Sequence, residues 1–142
     1  MMKVLVDTNV IITYLTERED KYSAESRQVM EMCAAKKIEG YIAFHSLSII
    51  WYSSGRMKQP EEIRREWLDR VCKVLTTASA GHDLVVEAVH NTEFRDFEDN
   101  LQAICAQSIN ADYIITANLK DYENSRVKAV TPDEIVNIMR GK

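Results

Sequence analysis

The chain has 142 residues and only four glycines. None of them falls in a GxxxxGK[ST], GxGxxG or GxSxG pattern, which excludes the common phosphate-cradling loops and the nucleophile elbow of the serine hydrolases. Cysteine and histidine are scarce, at three each, and neither type occurs at ligand spacing, so zinc is excluded as the organising ion. Cys33, Cys72 and Cys105 sit in apolar patterns and read as reduced core thiols, while His45, His82 and His90 read as ordinary surface or packed residues. No stretch approaches the roughly 20 consecutive apolar residues of a membrane span. Basic residues are not in excess: 18 Lys and Arg against 22 Asp and Glu leave a formal charge of −4. That balance argues against affinity for nucleic acid through broad phosphate contact, and it leaves open an enzyme that holds nucleic acid through metal ions. Met1-Met2-Lys3 runs into the first apolar segment without signal-peptide architecture, and the expectation is a cytoplasmic protein without a membrane partner.

What is present is a run of short apolar segments alternating with helical patterns, over a length that suits one domain, 1–142. "VLV" (4–6), "YIAF" (41–44), "KVLTTA" (73–78), "YIIT" (113–116) and "VKAV" (127–130) read as strands. Helices are expected after the first strand, with Thr8 or Asn9 as cap, and over Lys21 to Lys37, closed by Gly40. Others are expected from a Ser46 cap to Gly55, from Pro60 to about residue 72, after Gly81, over 96–109, and from Thr131-Pro132-Asp133-Glu134 onward. Strands separated mostly by helices predict a mainly parallel five-stranded sheet covered on both faces, a three-layer α/β/α sandwich.

In such sheets ligands gather beyond the carboxyl ends of the strands. Three segments place acids or amides there: Asp7-Thr8-Asn9, then "RDFEDNLQAICAQ" with Asp96, Glu98 and Asp99, then "YIITANLKDY" with Thr116, Asn118 and Asp121. Acids in the first turn of a helix are favoured by the macrodipole, which accounts for Asp96 and Glu98 without any site. On a helical wheel, Phe97, Leu101, Ile104 and Ser108 form one stripe, and Asp99, Ala103 and Ala106 the opposite one. With both stripes buried, Asp99 needs a partner or a cation, and Glu98 points to neither stripe and reads as solvated. Carboxylates with no neighbouring Cys or His suit Mg²⁺ or Mn²⁺, ions that promote phosphodiester hydrolysis.

"VLVDTNVIITYL", "DFEDNLQAICAQSINADYIITANLKDY" and the βα order between them resemble the PIN-domain family over nearly the whole chain. That family comprises small metal-dependent ribonucleases and includes the VapC-like toxins of toxin–antitoxin pairs. The resemblance implies a sheet in the order 3-2-1-4-5, an acidic pocket for Mg²⁺ or Mn²⁺, RNA as substrate, an antitoxin partner and a homodimer. It matches Asp7 and Asp99 to the family's first and third acids. Asp96 joins them as a metal ligand, Asn118 and Asp121 complete the catalytic group, and Asn9, Ser46 and Thr116 support it. Two positions depart from the family pattern: Ile49 stands where a glutamate is usual, and Asn118 where the fourth acid is usual. These losses motivate an alternative, a PIN-like module that binds RNA or protein with weakened catalysis. A phosphotransfer receiver is the third reading, disfavoured because Asp7 lacks a preceding acid and Lys128 begins the last strand instead of ending it. Arg56, Lys58, Arg64 and Arg65, interleaved with Glu61, Glu62 and Glu66, read as a solvated face of mixed charge in preference to an RNA contact.

Overall fold

The computed structural model describes residues 1–141. Five strands, β1 (Lys3–Val6), β2 (Glu39–Ala43), β3 (Thr76–Ala78), β4 (Tyr113–Ile115) and β5 (Ala129–Val130), form one sheet in the order β3-β2-β1-β4-β5. Every neighbouring pair is parallel. β1 is therefore central, paired with β2 through Val4 opposite Gly40 and with β4 through Leu5 opposite Ile114. The seven helices are α1 (Thr8–Thr16), α2 (Ser23–Ala34), α3 (Ser46–Arg56), α4 (Glu61–Val74), α5 (His82–His90), α6 (Phe97–Ser108) and α7 (Pro132–Met139). A 3-10 turn, Leu119–Tyr122, follows β4.

The sheet separates two cores. Val4 and Val6 face one side and pack with Val10, Ile11, Met30, Ile50, Val71 and Ile135 from α1, α2, α3, α4 and α7. Leu5 and Ile114 face the other, against Ala103, Cys105 and Ala106 of α6. This second core is built largely from alanines, Ala43 and Ala78 on the sheet meeting Ala103 and Ala106, so the helix lies close to the strands. Ala103 and Ala106 of the stripe that carries Asp99 are buried, as expected of both stripes. The opposite stripe does not hold as a whole: Ile104 is buried, but Phe97 is 49% exposed.

Several local expectations are corrected by packing. Gly40 does not close α2; it lies inside β2, where an added Cβ would stand 2.5 Å from Cys33 Sγ and 2.6 Å from Leu75 Cδ2. Its lack of a side chain serves close packing in place of a turn. Cys72 is exposed, whereas Cys33 and Cys105 are buried thiols, and burial pushes the Cys33 thiol up to about 12. Neither Thr8 nor Asn9 caps α1, which begins after Asp7. The capping box expected before α7 is present, with Thr131 N–H donating to Glu134 Oε1 at 3.1 Å. Arg64 stacks on Trp51 at 3.8 Å and donates to the Trp51 carbonyl at 2.8 Å. It ties α4 to α3, as a packed structural cation would.

Candidate active site at the carboxyl ends of β1 and β4

Asp7 follows β1 directly, and its backbone N–H extends the ladder to the Ile115 carbonyl at 2.9 Å. The strand thus delivers the carboxylate to the carboxyl edge of the sheet. It is 3% exposed. Three donors converge on one of its oxygens: Thr116 Oγ1 at 2.8 Å, Tyr122 OH at 3.0 Å and Asn9 Nδ2 at 3.3 Å. All three act on Oδ2, which anchors the group from one side. Burial dominates its proton affinity and, with the charge of Glu98, outweighs these hydrogen bonds, so the carboxyl is pushed up to about 6.

Thr116 and Asn9 bridge the first and third segments. Thr116 Oγ1 accepts from the Asn118 N–H at 3.1 Å, and Asn9 Oδ1 accepts from the Ala117 N–H at 3.2 Å. The loop after β4 is therefore pinned to the loop after β1. The 3-10 turn then brings Asp121 toward the start of α6. Asp96, expected in the first turn of that helix, is instead its N-cap, its Oδ1 accepting from the Glu98 N–H at 2.7 Å.

Asp96, Asp99 and Asp121 line one polar pocket of about 100 Å³, together with Arg95 and Lys120. Asp99 is pushed up to about 7 by burial and by the charges of Asp121, Asp7, Asp96 and Glu98. Asp121 is raised by burial and by Asp96, against the opposing charge of Arg95. These acids repel one another across the ends of β1, β4 and α6, which is the electrostatic condition for a cation site. Asp7 does not line that pocket, but its charge contributes to raising Asp99. Among the described residues, no three His, Cys, Asp or Glu side chains form a group that could hold a metal ion, so Asp7, Asp96 and Asp99 are not assembled as a closed three-ligand set. The donor chemistry still suits Mg²⁺, which keeps several waters and is commonly held by one or two carboxylates. Asp7, with its hydrogen bonds concentrated on Oδ2, has its other oxygen to offer.

Beside the acids lies a polar network that the sequence pattern does not reveal. Gln102 is fully buried on α6, and its amide nitrogen, with two hydrogens to give, lies 2.7 Å from Ser46 Oγ, 3.0 Å from Glu98 Oε2 and 3.1 Å from Thr8 Oγ1. Ser46 is thus no helix cap; its hydroxyl is buried against Thr8 at 2.7 Å. His45 Nε2 lies 2.9 Å from Glu98 Oε2. Burial would lower the imidazole, but hydrogen bonding with Cys105 and Glu98 and the Glu98 charge outweigh it and push His45 up to about 9. The expectations of a solvated Glu98 and an uninvolved His45 are both corrected. The i, i+4 spacing of Glu98 and Gln102 on one helix face was the available signal. Tyr122 was also missed, because nothing local distinguishes a tyrosine aimed at a carboxylate 115 residues away.

Residues 3–120 match the PIN domain. The chain belongs to the PIN-domain family. No curated protein sequence matches it significantly. Among solved structures, this PIN domain resembles VapBC2 from Rickettsia felis, bound to a DNA fragment from their promoter, with a TM-score of 0.66 at 19% identity, covering 92% of this chain and 98% of that one. It is likewise similar to VapBC-1 from nontypeable Haemophilus influenzae, with a TM-score of 0.66 at 16% identity over 93% and 99% of the two chains. FitAcB from Neisseria gonorrhoeae follows with a TM-score of 0.63 at 11% identity, over 91% and 97%. At such identities these likenesses establish the PIN fold, and the sheet order agrees with the one the family resemblance implies. No helix among the described residues is long and apolar enough to cross a membrane.

Proposed function

We propose that this PIN-domain chain, read as one domain over 1–142, is a metal-dependent endoribonuclease that hydrolyses RNA phosphodiester bonds as the toxin of a toxin–antitoxin pair. The observation that carries the reading is the convergence of Asp96, Asp99 and Asp121 on one polar pocket, with Asp7 buried directly after β1 and its charge helping to raise Asp99. Asp7 and Asp99 are the pair that would hold Mg²⁺ or Mn²⁺, with water filling the remaining positions. A bound ion supplies an activated water and offsets charge on the phosphate being transferred. Thr116, Tyr122 and Asn9 hold the Asp7 carboxylate in one orientation. Asp96 and Asp121 would bind and orient water at the pocket wall, and Asn118 holds the turn that carries Asp121, its carbonyl accepting from the Asp121 N–H at 3.2 Å. Ser46, fixed between Thr8 and Gln102, supports the floor of the site. The likeness to VapBC and FitAB proteins supports an antitoxin partner, and the proposal also includes a homodimer and residence in the cytoplasm.

A second reading, a PIN-like RNA-binding or protein-interaction module with weakened catalysis, is favoured by Ile49 and Asn118 in place of the usual acids and by the open ligand set. Cleavage of single-stranded RNA by the purified chain separates the two. The nuclease reading expects cleavage in Mg²⁺ or Mn²⁺ that EDTA abolishes and that Asp7→Asn or Asp99→Asn lowers by orders of magnitude with the fold intact. Absence of cleavage under either ion, with RNA still bound, favours the module; cleavage that Asp7→Asn leaves untouched removes the mechanism.

A further inference from the structure

The acidic pocket continues into a second cleft. This cleft, of about 140 Å³, lies between α5, α6 and the segment 124–126, and Glu93, Phe94 and Asn124 line both spaces. Asn100, Ala103, Ile104 and Gln107 form its α6 wall, at the spacing of one helical face that leads away from Asp99. Asn100 is 3% exposed, and its Nδ2 donates to the Ala88 carbonyl at 3.1 Å. A carbonyl can face only the nitrogen of an amide, so that bond fixes the side chain's orientation and leaves Oδ1 as the remaining acceptor. Among the described residues no donor reaches this oxygen, and the side-chain atoms sealed in without a partner are Ser26 Oγ and Gln102 Oε1, so Asn100 Oδ1 opens onto the cleft. Asn124 is committed in the same way, its Nδ2 donating to the Glu93 carbonyl at 2.9 Å. Of the charged groups lining the cleft, Glu87 and Glu93 can only accept, and Arg126 is held by Glu87 at 3.1 Å. The cleft is therefore rich in acceptors, and a buried acceptor without a donor is a cost that a ligand supplying one removes.

From this geometry we infer that the cleft is a base-selecting subsite: Phe94 stacks on a nucleobase beside the phosphate at the acidic pocket, and Asn100 Oδ1 accepts from its exocyclic amino group, so cytosine and adenine are chosen over uracil and guanine. The inference rests on the ribonuclease reading of the acidic pocket and adds which base lies beside the cleaved bond. Cytosine N4 and adenine N6 are donors where uracil and guanine carry carbonyl oxygens, which would set acceptor against acceptor at Asn100. Phe94 is half-buried against the alanine-rich core and forms a wall common to both spaces, the place from which an aromatic ring reaches a base next to a bound phosphate. A free amine would satisfy the acceptors but would use neither the aromatic wall nor the continuity with the acidic pocket, and the two together favour a base.

The test is fluorescence anisotropy in Mg²⁺ with fluorescein-labelled, nuclease-resistant phosphorothioate RNAs of equal length, in two pairs: cytidines against uridines, and adenosines against purine ribosides, which lack only the amino group. The parent should bind the amino-bearing member of each pair roughly 5- to 20-fold more tightly, the scale of leaving one buried acceptor unpaired. Asn100→Ala should bring both ratios close to one. Gln107→Trp, at a half-buried position of the same α6 face, should do likewise by filling the cleft with Asn100 in place, which covers the case of an Asn100→Ala chain that does not fold. Phe94→Leu should weaken binding of all four RNAs without changing the ratios, and Phe94→Trp should restore it. Equal binding within each pair by the parent overturns the subsite, while cleavage of unmodified RNA in Mn²⁺ keeps the ribonuclease reading in place. A preference that survives both α6 variants, folded by circular dichroism, overturns the assignment to this cleft. A parent chain that neither binds nor cleaves RNA overturns the ribonuclease reading itself, and the subsite with it.

Discussion

The Tyr122 hydroxyl donates to Asp7 Oδ2 at 3.0 Å, joining the last residue of the 3-10 turn to the first residue beyond β1. Both groups are nearly inaccessible to solvent, at 3% exposure each. The bond holds a carboxylate whose burial opposes its charge, and the same burial, with the nearby carboxylates, raises the tyrosine's own proton affinity far above its ordinary range. Tyr122 therefore stays protonated, and a donor, through the neutral range.

Removing that donor should be costly. Tyr122→Phe, measured by urea unfolding at pH 8 without metal, is expected to destabilise the fold by about 1.5–3 kcal/mol, the range for a hydrogen bond to a charged group. Thr116→Val should lose a comparable amount. Each substitution should also raise the proton affinity of Asp7, so the loss should shrink toward pH 4, where the carboxyl is protonated. A loss independent of pH would assign the effect to packing alone.

Stability in EDTA should fall as pH rises. Asp7 and Asp99 bind protons more tightly folded, at about 6 and about 7, than an ordinary aspartate does at 3.8. The stability linked to each is fully present below pH 3.8 and is lost as pH rises through the folded value. His45 acts in the same direction: raised from 6.5 to about 9, it contributes fully below 6.5 and loses its contribution as pH passes 9. Melting temperatures across pH 4–10 should therefore decline through both windows, and His45→Gln should flatten only the upper one. A rise in melting temperature between pH 5 and 8 would contradict this charge assignment.

Neutralising one repelling acid should stabilise the metal-free protein. At pH 8, Asp99→Asn is expected to melt higher than the parent in EDTA and to lose most of the upward shift that millimolar Mg²⁺ or Mn²⁺ gives the parent by binding only the folded state. Differential scanning fluorimetry reads both effects. An unchanged metal-induced shift would remove Asp99 from the ion site.

Ile49 is half-buried on α3, within the turn closed by its own N–H to the His45 carbonyl at 3.3 Å. Because it is not locked in the core, Ile49→Glu should fold, with at most a modest loss of stability in EDTA. Restoring a carboxylate at the position where PIN domains usually carry one should increase the Mg²⁺-induced melting shift and the rate of RNA cleavage. A folded variant with neither gain would show that α3 does not deliver residue 49 to the site.

The order of strands and helices was legible because each element carries its own periodicity. "VLV" and "YII" read as buried strands, and Thr131-Pro132-Asp133-Glu134 announced α7 through interactions spanning four residues. The three acidic segments were legible for a related reason: a parallel sheet puts every strand end on one edge, so Asp7, Asp99 and Asp121 could be assigned to that edge without coordinates. What sequence could not settle was the aim of individual side chains. Phe97 fits an apolar stripe but lies in water, because α6 turns its alanine strip and Gln102 toward the sheet. Glu98 has the pattern of a solvated acid but binds His45, 53 residues away. Gly40 resembles a helix stop but is a strand residue shaped by Cys33 and Leu75. Local propensity and spacing determined the elements and the edge of the sheet where the acids gather. Only the packing of α6 and the 3-10 turn onto that edge decided which polar atoms meet, since those contacts join residues that no periodicity connects.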